Sequence, residues 1–420
     1  MKSTPVLIHG SGEWITMDSG AVGPRGGPAL GDVAPKRGYA VCVEDGTIVD
    51  AGPVDDLRRR RPDCPEVDLG DRLVTPGLVD PHTHPVFFGT REDEFEWRCT
   101  GRTYVEIAAK GGGIRNSVRK LRAATEDELV RGLLRLADGF LALGTTTVEA
   151  KSGYGLSTES ELRSLEAIRK AGLAHPLEFV PTFLGAHEVP DEWRHDPTAY
   201  LKILCEEMLP EVVRRGLATS CDVFCEKGVL SIDDSRTLLK RAQDLGLKVK
   251  LHADELFPTG SAELAAELGA LSADHLVHVS DEGMTRMRER GVIPILLPAT
   301  SFFIKLKQDA PGAEMVKRGL AVAIATDFNP GSSPTRSLPL VMTFACVKYG
   351  MTPAEALTAA TVNAAHAIGM GDRIGVLKPG YQADLVAWDL ENHRQLPYRF
   401  GENFAAIVVK KGAVVVDRRR

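Results

Sequence analysis

Apolar and polar positions follow two different rhythms along this chain. At both ends, short apolar runs alternate with turn residues. Residues 5–8, 39–43 and 47–49 read as strands, with Asp45-Gly46 as the hairpin turn between the last two. Residues 384–388, 405–409 and 413–416 have the same character, and Lys410-Lys411-Gly412 turns between the last pair. Between these ends, from residue 78 to about 367, short apolar strands are followed by amphipathic helical stretches again and again. The strands are the one beginning at Leu78, then 145–150, 178–182, 221–224, 249–252, 273–277, 293–297 and 321–325; helices fall at 126–143, 160–171, 231–245 and 259–268, among others. Eight strands alternating with helices predict an α/β fold of the (β/α)8, TIM-like barrel type. A doubly wound open sheet is the alternative, and no G-x-G-x-x-G follows a strand to support it. Neither terminal set of strands can bury a core alone, so together they are expected to form one small β-sandwich domain. The predicted division is residues 1–76 with 378–420 for the sandwich and 77–377 for the barrel. Residues 20–38, rich in Gly and Pro, read as a mobile surface loop.

Composition narrows the classes of function. With 420 residues, 43% hydrophobic and 26% charged, the chain is an ordinary globular one with material for a large core. Net charge is −6, from 51 basic and 57 acidic residues, which leaves no electrostatic case for nucleic acid. The runs Arg58-Arg59-Arg60-Arg61 and Arg418-Arg419-Arg420 are short enough to be solvated surface. No apolar run approaches a membrane span, and Met1-Lys2-Ser3-Thr4-Pro5 leads into a strand without an export segment. Seven scattered cysteines, including Cys221 and Cys225, form no Cys-x-x-Cys pair, so free thiols in a reducing cytoplasm are expected.

The chemistry concentrates at strand ends. Asp80-Pro81-His82-Thr83-His84 follows the apolar run 73–79. In extended backbone, side chains at i and i+2 share a face, so His82 and His84 can converge on one point. A chance His-x-His usually means nothing, yet in a chain with 11 histidines this one ends a buried strand. In a barrel, functional groups gather at the C-terminal ends of strands. Later strands end in His252-Ala253-Asp254-Glu255, in Asp274-His275 and in Asp327-Phe328-Asn329-Pro330-Gly331. Each group alone has a bland reading as a cap or a turn. Together, three imidazoles and a carboxylate make an N3O site for Zn2+ or Fe2+.

The chain resembles the amidohydrolase superfamily over nearly its whole length. The resemblance is carried by Asp80-Pro81-His82-Thr83-His84, Gly111-Gly112-Gly113-Ile114, Glu149-Ala150-Lys151-Ser152-Gly153-Tyr154-Gly155, Gly185-Ala186-His187-Glu188-Val189-Pro190, Leu251-His252-Ala253-Asp254-Glu255, Leu297-Pro298-Ala299-Thr300 and Ala325-Thr326-Asp327-Phe328-Asn329-Pro330-Gly331-Ser332. The His-x-His and the final Asp mark the superfamily. The Lys-Ser-Gly-Tyr-Gly and Asp-Phe-Asn-Pro-Gly-Ser runs mark a branch that opens the cyclic amide of 4-imidazolone-5-propanoate, giving N-formimidoyl-L-glutamate in histidine degradation. The resemblance implies that His82, His84, His252 and Asp327 bind one Zn2+ or Fe ion. It implies that Arg91, Tyr154, His187, Glu255, Asn329, Gly331 and Ser332 contact the substrate. His275 matches a superfamily histidine near the attacking water, and a homodimer is what the family suggests.

Residue chemistry agrees with these roles and leaves some of them open. Asp327 can take a proton from water, with His275 orienting it or stabilising the oxyanion. Glu255 or its neighbour Asp254 can carry that proton to the departing ring nitrogen; strand alternation places Asp254 with His252, while the resemblance favours Glu255. Arg91 suits the propanoate arm, because a guanidinium fork matches a carboxylate, but Glu92 or Asp93 would occupy it equally well. Tyr154 lies between glycines that permit close approach to a ligand, or simply buries its hydroxyl on any partner. His187 binds substrate or caps the turn before Pro190. Lys151 would matter in a two-metal variant, where a carbamylated lysine bridges the ions. The rival functions are a deaminase acting on a purine or pyrimidine, which would release ammonia, and a non-catalytic barrel, which would have broken ligands.

Overall fold

The computed structural model describes residues 4–102, 106 and 111–419. Met1-Lys2-Ser3 and Arg420, which bear on the expectations for the two chain ends, lie outside the described residues. The amino-terminal strands are β1 (Val6–Ile15), β2 (Pro35–Glu44), β3 (Thr47–Pro53), β4 (Glu66–Asp68) and β5 (Leu73–Pro76). The middle of the chain contributes β6 (Leu78–Asp80), β7 (Thr145–Lys151), β8 (Glu178–Ala186), β9 (Ser220–Cys225), β10 (Lys248–Ala253), β11 (Ser272–His275), β12 (Ile293–Leu296) and β13 (Ala323–Ile324). The C-terminal strands are β14 (Leu385–Trp388), β15 (Ala405–Lys410) and β16 (Ala413–Asp417).

The middle strands pair in chain order, all parallel, from β6 to β13. This is the expected (β/α)8 barrel. Its helices form for local reasons that the sequence displays. In Glu126–Ala142, Thr125 and Glu128 make a reciprocal capping box, and Leu129, Leu133, Ala137 and Phe140 bury one stripe against the strands. The ladder leaves one seam, between β6 and β13, and side chains close it. Asp80 accepts hydrogen bonds from the Thr326 amide at 3.1 Å and the Thr326 hydroxyl at 2.5 Å. Just beyond, the His84 amide donates to the Phe328 carbonyl at 2.8 Å. The first and last strand ends of the barrel are thereby locked at the rim where chemistry is expected.

Both chain ends contribute to one eight-stranded sheet, ordered β16-β15-β14-β5-β1-β2-β3 with β4 beside β1. Its inward residues, among them Ile8, Trp14, Val41, Val74, Leu385 and Ile407, share one core. The two ends of the strand order meet: the β2–β3 turn at Gly46 lies against Lys411, and a Cβ on Gly46 would come within 3.1 Å of the Lys411 Cβ. The sheet therefore folds over on itself as a sandwich does.

Two expectations change in detail, and one gains a physical reason. The apolar run 73–79 divides just before Leu78, where the first barrel strand is expected. It breaks at Gly77, where the chain crosses from the terminal sheet into the barrel and where a Cβ would overlap the Thr146 side chain. β1 runs on past Ile8, through Gly10-Ser11-Gly12, because the bulge there lets the backbone of residues 69–72 approach; the Ser11 amide donates to the Gly70 carbonyl at 2.8 Å. The loop at residues 20–38 is anchored. Arg25 is buried, donates to the Met17 and Asp32 carbonyls, and receives Asn363 on its backbone, while Leu30 is fully covered. Gly and Pro there shape a packed segment.

A largely buried ion pair joins the terminal sheet to the barrel. Lys410 of β15 lies 3.0 Å from Glu178 of β8 and 2.7 Å from Asp384, and Gln382 donates to Glu178 at 2.9 Å. Burial pushes the Glu178 carboxyl up, but Lys410 and Gln382 outweigh it and hold the group down at about 2. A depressed folded value means that this pair contributes fully above the ordinary carboxylate pKa of ~4.3 and is lost as pH falls towards 2. Glu178→Gln should lower stability at pH 7 by roughly 1–3 kcal/mol. Its denaturant midpoint should also fall less than that of the unsubstituted protein between pH 5 and pH 3. Parallel pH dependences in the two proteins would show that the pair contributes nothing.

Candidate active site

The site is built from the C-terminal ends of β6, β10, β11 and β13. Thr83 forms a bridge with Phe328, and the Lys151 amide donates to the Thr83 carbonyl at 3.0 Å. Backbone just beyond β6 therefore stays extended, and His82 and His84 share a face as predicted. Their Nε2 atoms are 3.2 Å apart, and His252 Nε2 is 3.3 Å from that of His84. Asp327 Oδ1 lies 3.5 Å from both His82 Nε2 and His84 Nε2. All four side chains are buried.

What orients these imidazoles lies behind them. His82 Nδ1 donates to Asp274 at 2.6 Å, and His252 Nδ1 sits 3.0 Å from Asp222. An imidazole that gives its Nδ1 proton to a carboxylate presents a bare Nε2 lone pair on the other side. Burial first, then Lys151 and the neighbouring imidazoles, hold His82 well below its ordinary pKa; burial, His187 and His252 do the same to His84. Imidazole Nε2 atoms facing one another in a dry interior, with a carboxylate oxygen beside them, fit a divalent cation. Thr300 donates to the other Asp327 oxygen at 2.6 Å, which aims Oδ1 at the cluster. Asp327 and His275 both take positive φ, 51° and 75°, a strained conformation for non-glycine residues that is concentrated at functional sites.

Two buried lysines support the carboxylates. Lys151 lies 2.6 Å from Asp222 and 2.8 Å from Glu149, and Lys250 lies 2.8 Å from Glu149 and donates to the Pro81 carbonyl at 2.8 Å. Burial alone would lower the Lys151 ammonium, but Asp222, Glu149 and Asp274 outweigh it and raise its pKa. This lysine sits on the Nδ1 side of His252, behind the cluster, and its charge is used in ion pairs. That is not the place of a carbamate bridging two ions.

A cleft opens over the cluster, enclosing about 530 Å³ of free space including its mouth. Arg91, Tyr154, His187, Glu255, His275, Asn329 and Ser332 all line it. His187 donates from Nδ1 to the Gly153 carbonyl at 3.0 Å and stacks on His84 with ring centres 4.9 Å apart. Burial, with His252, lowers its pKa to about 3. Tyr154 sits 5.3 Å from the His187 ring, on a loop pinned by Glu161, which accepts from the amides of Gly153, Gly155 and Leu156. The two candidates on the β10 loop separate. Asp254 accepts from the amides of Thr259, Gly260 and Ala262 and so caps the next helix, Ser261–Leu268. Glu255 lines the cleft, 3.5 Å from His275 Nδ1, and burial beside Asp327 and Glu226 raises its pKa well above the carboxylate range. His275 Nε2 is buried without a hydrogen-bond partner among the described residues. Gly331 is not in the cleft wall. It backs Arg91, and the partner of Arg91 is Glu94, not Glu92 or Asp93.

Sequence reasoning missed Glu149, Asp222, Lys250, Asp274 as an acceptor, Thr300 and Glu94. A signal existed for some of them: a charge inside an otherwise apolar strand, as in Val249-Lys250-Leu251 or Val148-Glu149-Ala150, has to be paired when the strand is buried on both faces. Lys151→Met should cost about 3–5 kcal/mol in denaturant unfolding, because it strands Asp222 and Glu149 in the interior. Lys317→Met, on the surface, should stay within about 0.5 kcal/mol. Equal midpoints for the two variants would contradict an ion network that holds the barrel floor.

The amidohydrolase family model matches residues 73–416. Among curated relatives, the imidazolonepropionase of Geobacillus kaustophilus is 48% identical over 417 residues, covering 98% of each chain. That of Symbiobacterium thermophilum is 49% identical over 422 residues, covering 99% of this chain and 98% of the relative. Among solved structures, an adenosine deaminase from Xanthomonas campestris with bound zinc superposes with a TM-score of 0.70 at 20% identity, covering 99% of this chain and 93% of that one. A guanine deaminase from C. acetobutylicum gives a TM-score of 0.72 at 16% identity, covering 98% and 100%. At such identities these structures speak for the fold alone. The chain belongs to the amidohydrolase family and, within it, to the imidazolonepropionases.

Proposed function

We infer that this enzyme hydrolyses the cyclic amide of 4-imidazolone-5-propanoate to N-formimidoyl-L-glutamate in histidine degradation. Besides the relatives, one observation carries the reading: a single cleft is lined both by His84, His252 and Asp327, which meet His82 in one cluster, and by a buried arginine, Arg91. A small cyclic amide with a carboxylate arm needs both. His82, His84, His252 and Asp327 would hold one Zn2+ or Fe ion, since three nitrogens and an oxygen accept either. Such an ion supplies hydroxide at neutral pH and polarises the ring carbonyl.

The chain's own groups perform the rest. Arg91 takes the propanoate, with Tyr154, Asn329 and Ser332 closing around the ring and arm. His187 offers its Nε2 to the substrate, because Nδ1 is committed to Gly153. Asp327 accepts the proton of the attacking water. His275, whose Nε2 faces no protein partner, orients that water or steadies the oxyanion. Glu255 carries the proton to the departing ring nitrogen, a role that suits a buried carboxyl whose pKa is raised. The three amide partners of Asp254 support Glu255 over it for that transfer. No helix among the described residues is long and apolar enough to cross a membrane, and all seven cysteines are free; a cytoplasmic homodimer is the setting that the reading expects.

Ring opening of freshly generated imidazolonepropanoate should proceed without ammonia, with about one metal ion per chain by elemental analysis. Stoichiometric ammonia would instead favour the deaminase reading. His252→Ala should lower both metal content and kcat, and Glu255→Gln should lower kcat by roughly 100-fold or more while metal content holds. Full activity in a metal-free His252→Ala protein would overturn the mechanism.

A further inference from the structure

Arg91 is gripped from two sides by residues that do not themselves line the cleft. On one side, Glu94 accepts from Arg91 Nε at 3.0 Å and Nη2 at 2.7 Å, both on the same oxygen. On the other, the guanidinium lies so close to Gly331 that a Cβ there would overlap Nη1 and the central carbon. Arg98 holds Gly331 in place by donating to its carbonyl at 2.9 Å. Asn329 shapes the same loop by accepting from the amides of Gly331 and Ser332 at 2.8 and 2.7 Å.

Glu94 has further partners. It accepts from the Gly113 amide and from Asn116 Nδ2, each at 3.2 Å. Gly113 is the N-cap of the helix Ile114–Ala123, whose first residue, Ile114, forms part of the cleft wall. Glu94 is buried, so its charge is balanced by Arg91 and by donors at that helix N-terminus. One carboxylate thus sets the plane of the arginine and the position of an apolar wall facing it.

We propose that Glu94 and Gly331 are positioning residues for carboxylate specificity, acting through Arg91 and not by touching substrate. Glu94 fixes the guanidinium plane, and Gly331 is glycine because a side chain would push the guanidinium off its seat. This differs from a role for Gly331 in direct contact with substrate. It rests on the reading of Arg91 as the partner of the propanoate.

The test compares 4-imidazolone-5-propanoate with the same ring carrying a propyl arm, on the metal-loaded enzyme. Glu94→Gln keeps size and some hydrogen bonding but removes the charge, and Gly331→Ala displaces Arg91 while leaving Glu94 intact. Each should raise KM for the propanoate at least ~10-fold, keep kcat within about threefold, and leave kcat/KM for the propyl analogue unchanged. A loss shared equally by both substrates would make these residues merely structural and overturn the proposal. Arg91→Met separates the two levels. If it abolishes discrimination between the arms while Glu94→Gln and Gly331→Ala preserve it, the positioning role fails alone. If Arg91→Met leaves discrimination intact, the reading of Arg91 fails with it.

Discussion

Charge balance in a dry barrel is the constraint on which this structure depends. Three carboxylates, Glu149, Asp222 and Asp274, and two ammonium groups, Lys151 and Lys250, are buried beneath the imidazole cluster. Fully ionised, they sum to one negative charge. Ionised Asp327 adds a second, and the imidazoles of His82 and His84 are held neutral by burial. A divalent cation held by the cluster would cancel the total. Burying isolated charges costs several kcal/mol each, so the arrangement is stable only as a whole. The same arrangement fixes the tautomers, because Asp274 and Asp222 face the Nδ1 atoms.

That constraint explains what was legible in the sequence. His82, His84, His252 and Asp327 could be found because each stands at a strand end and because strand-and-helix alternation marks those ends. The supporting shell was harder to read. Asp222 lies in mid-strand between Cys221 and Val223, and its partner Lys151 is 71 residues away. Pairing across a barrel is set by closure and register, which a single chain displays poorly. Gly77 shows the same limit: its φ is unremarkable, and its need to be glycine comes from Thr146, which reaches it across the domain junction. The strand expected at 5–8 is too short for a similar reason: Gly10 and Gly12 serve a close approach of the backbone at residues 69–72 within the strand.

The two candidate acids on the β10 loop illustrate how a period-two argument ends with the strand. Alternation placed Asp254 beside His252. β10 stops at Ala253, however, and Asp254 takes φ 49°, which turns its carboxylate to the amides that follow. Glu255 then swings into the cleft. Local hydrogen bonding of an Asp to amides a few residues ahead overrode the pleat, as Asp side chains commonly do at helix starts.

The fold is shared with structures named as deaminases, so the barrel does not by itself determine the substrate. Discrimination has to come from groups outside the strands. Arg91 stands at the start of the short helix Glu92–Cys99, Tyr154 on the loop after β7, and Asn329 and Ser332 on the loop after β13. Two of these are immobilised by a buried side chain that does not line the cleft: Arg91 by Glu94 and the Tyr154 loop by Glu161. The Asn329 loop holds itself through the Asn329 side chain. Loops of this kind cost ordering entropy if substrate must arrange them on binding. Here carboxylates and amides within the protein have already met that cost during folding. Specificity for a small, charged cyclic amide is therefore a property of these internal clamps as much as of the residues that touch it.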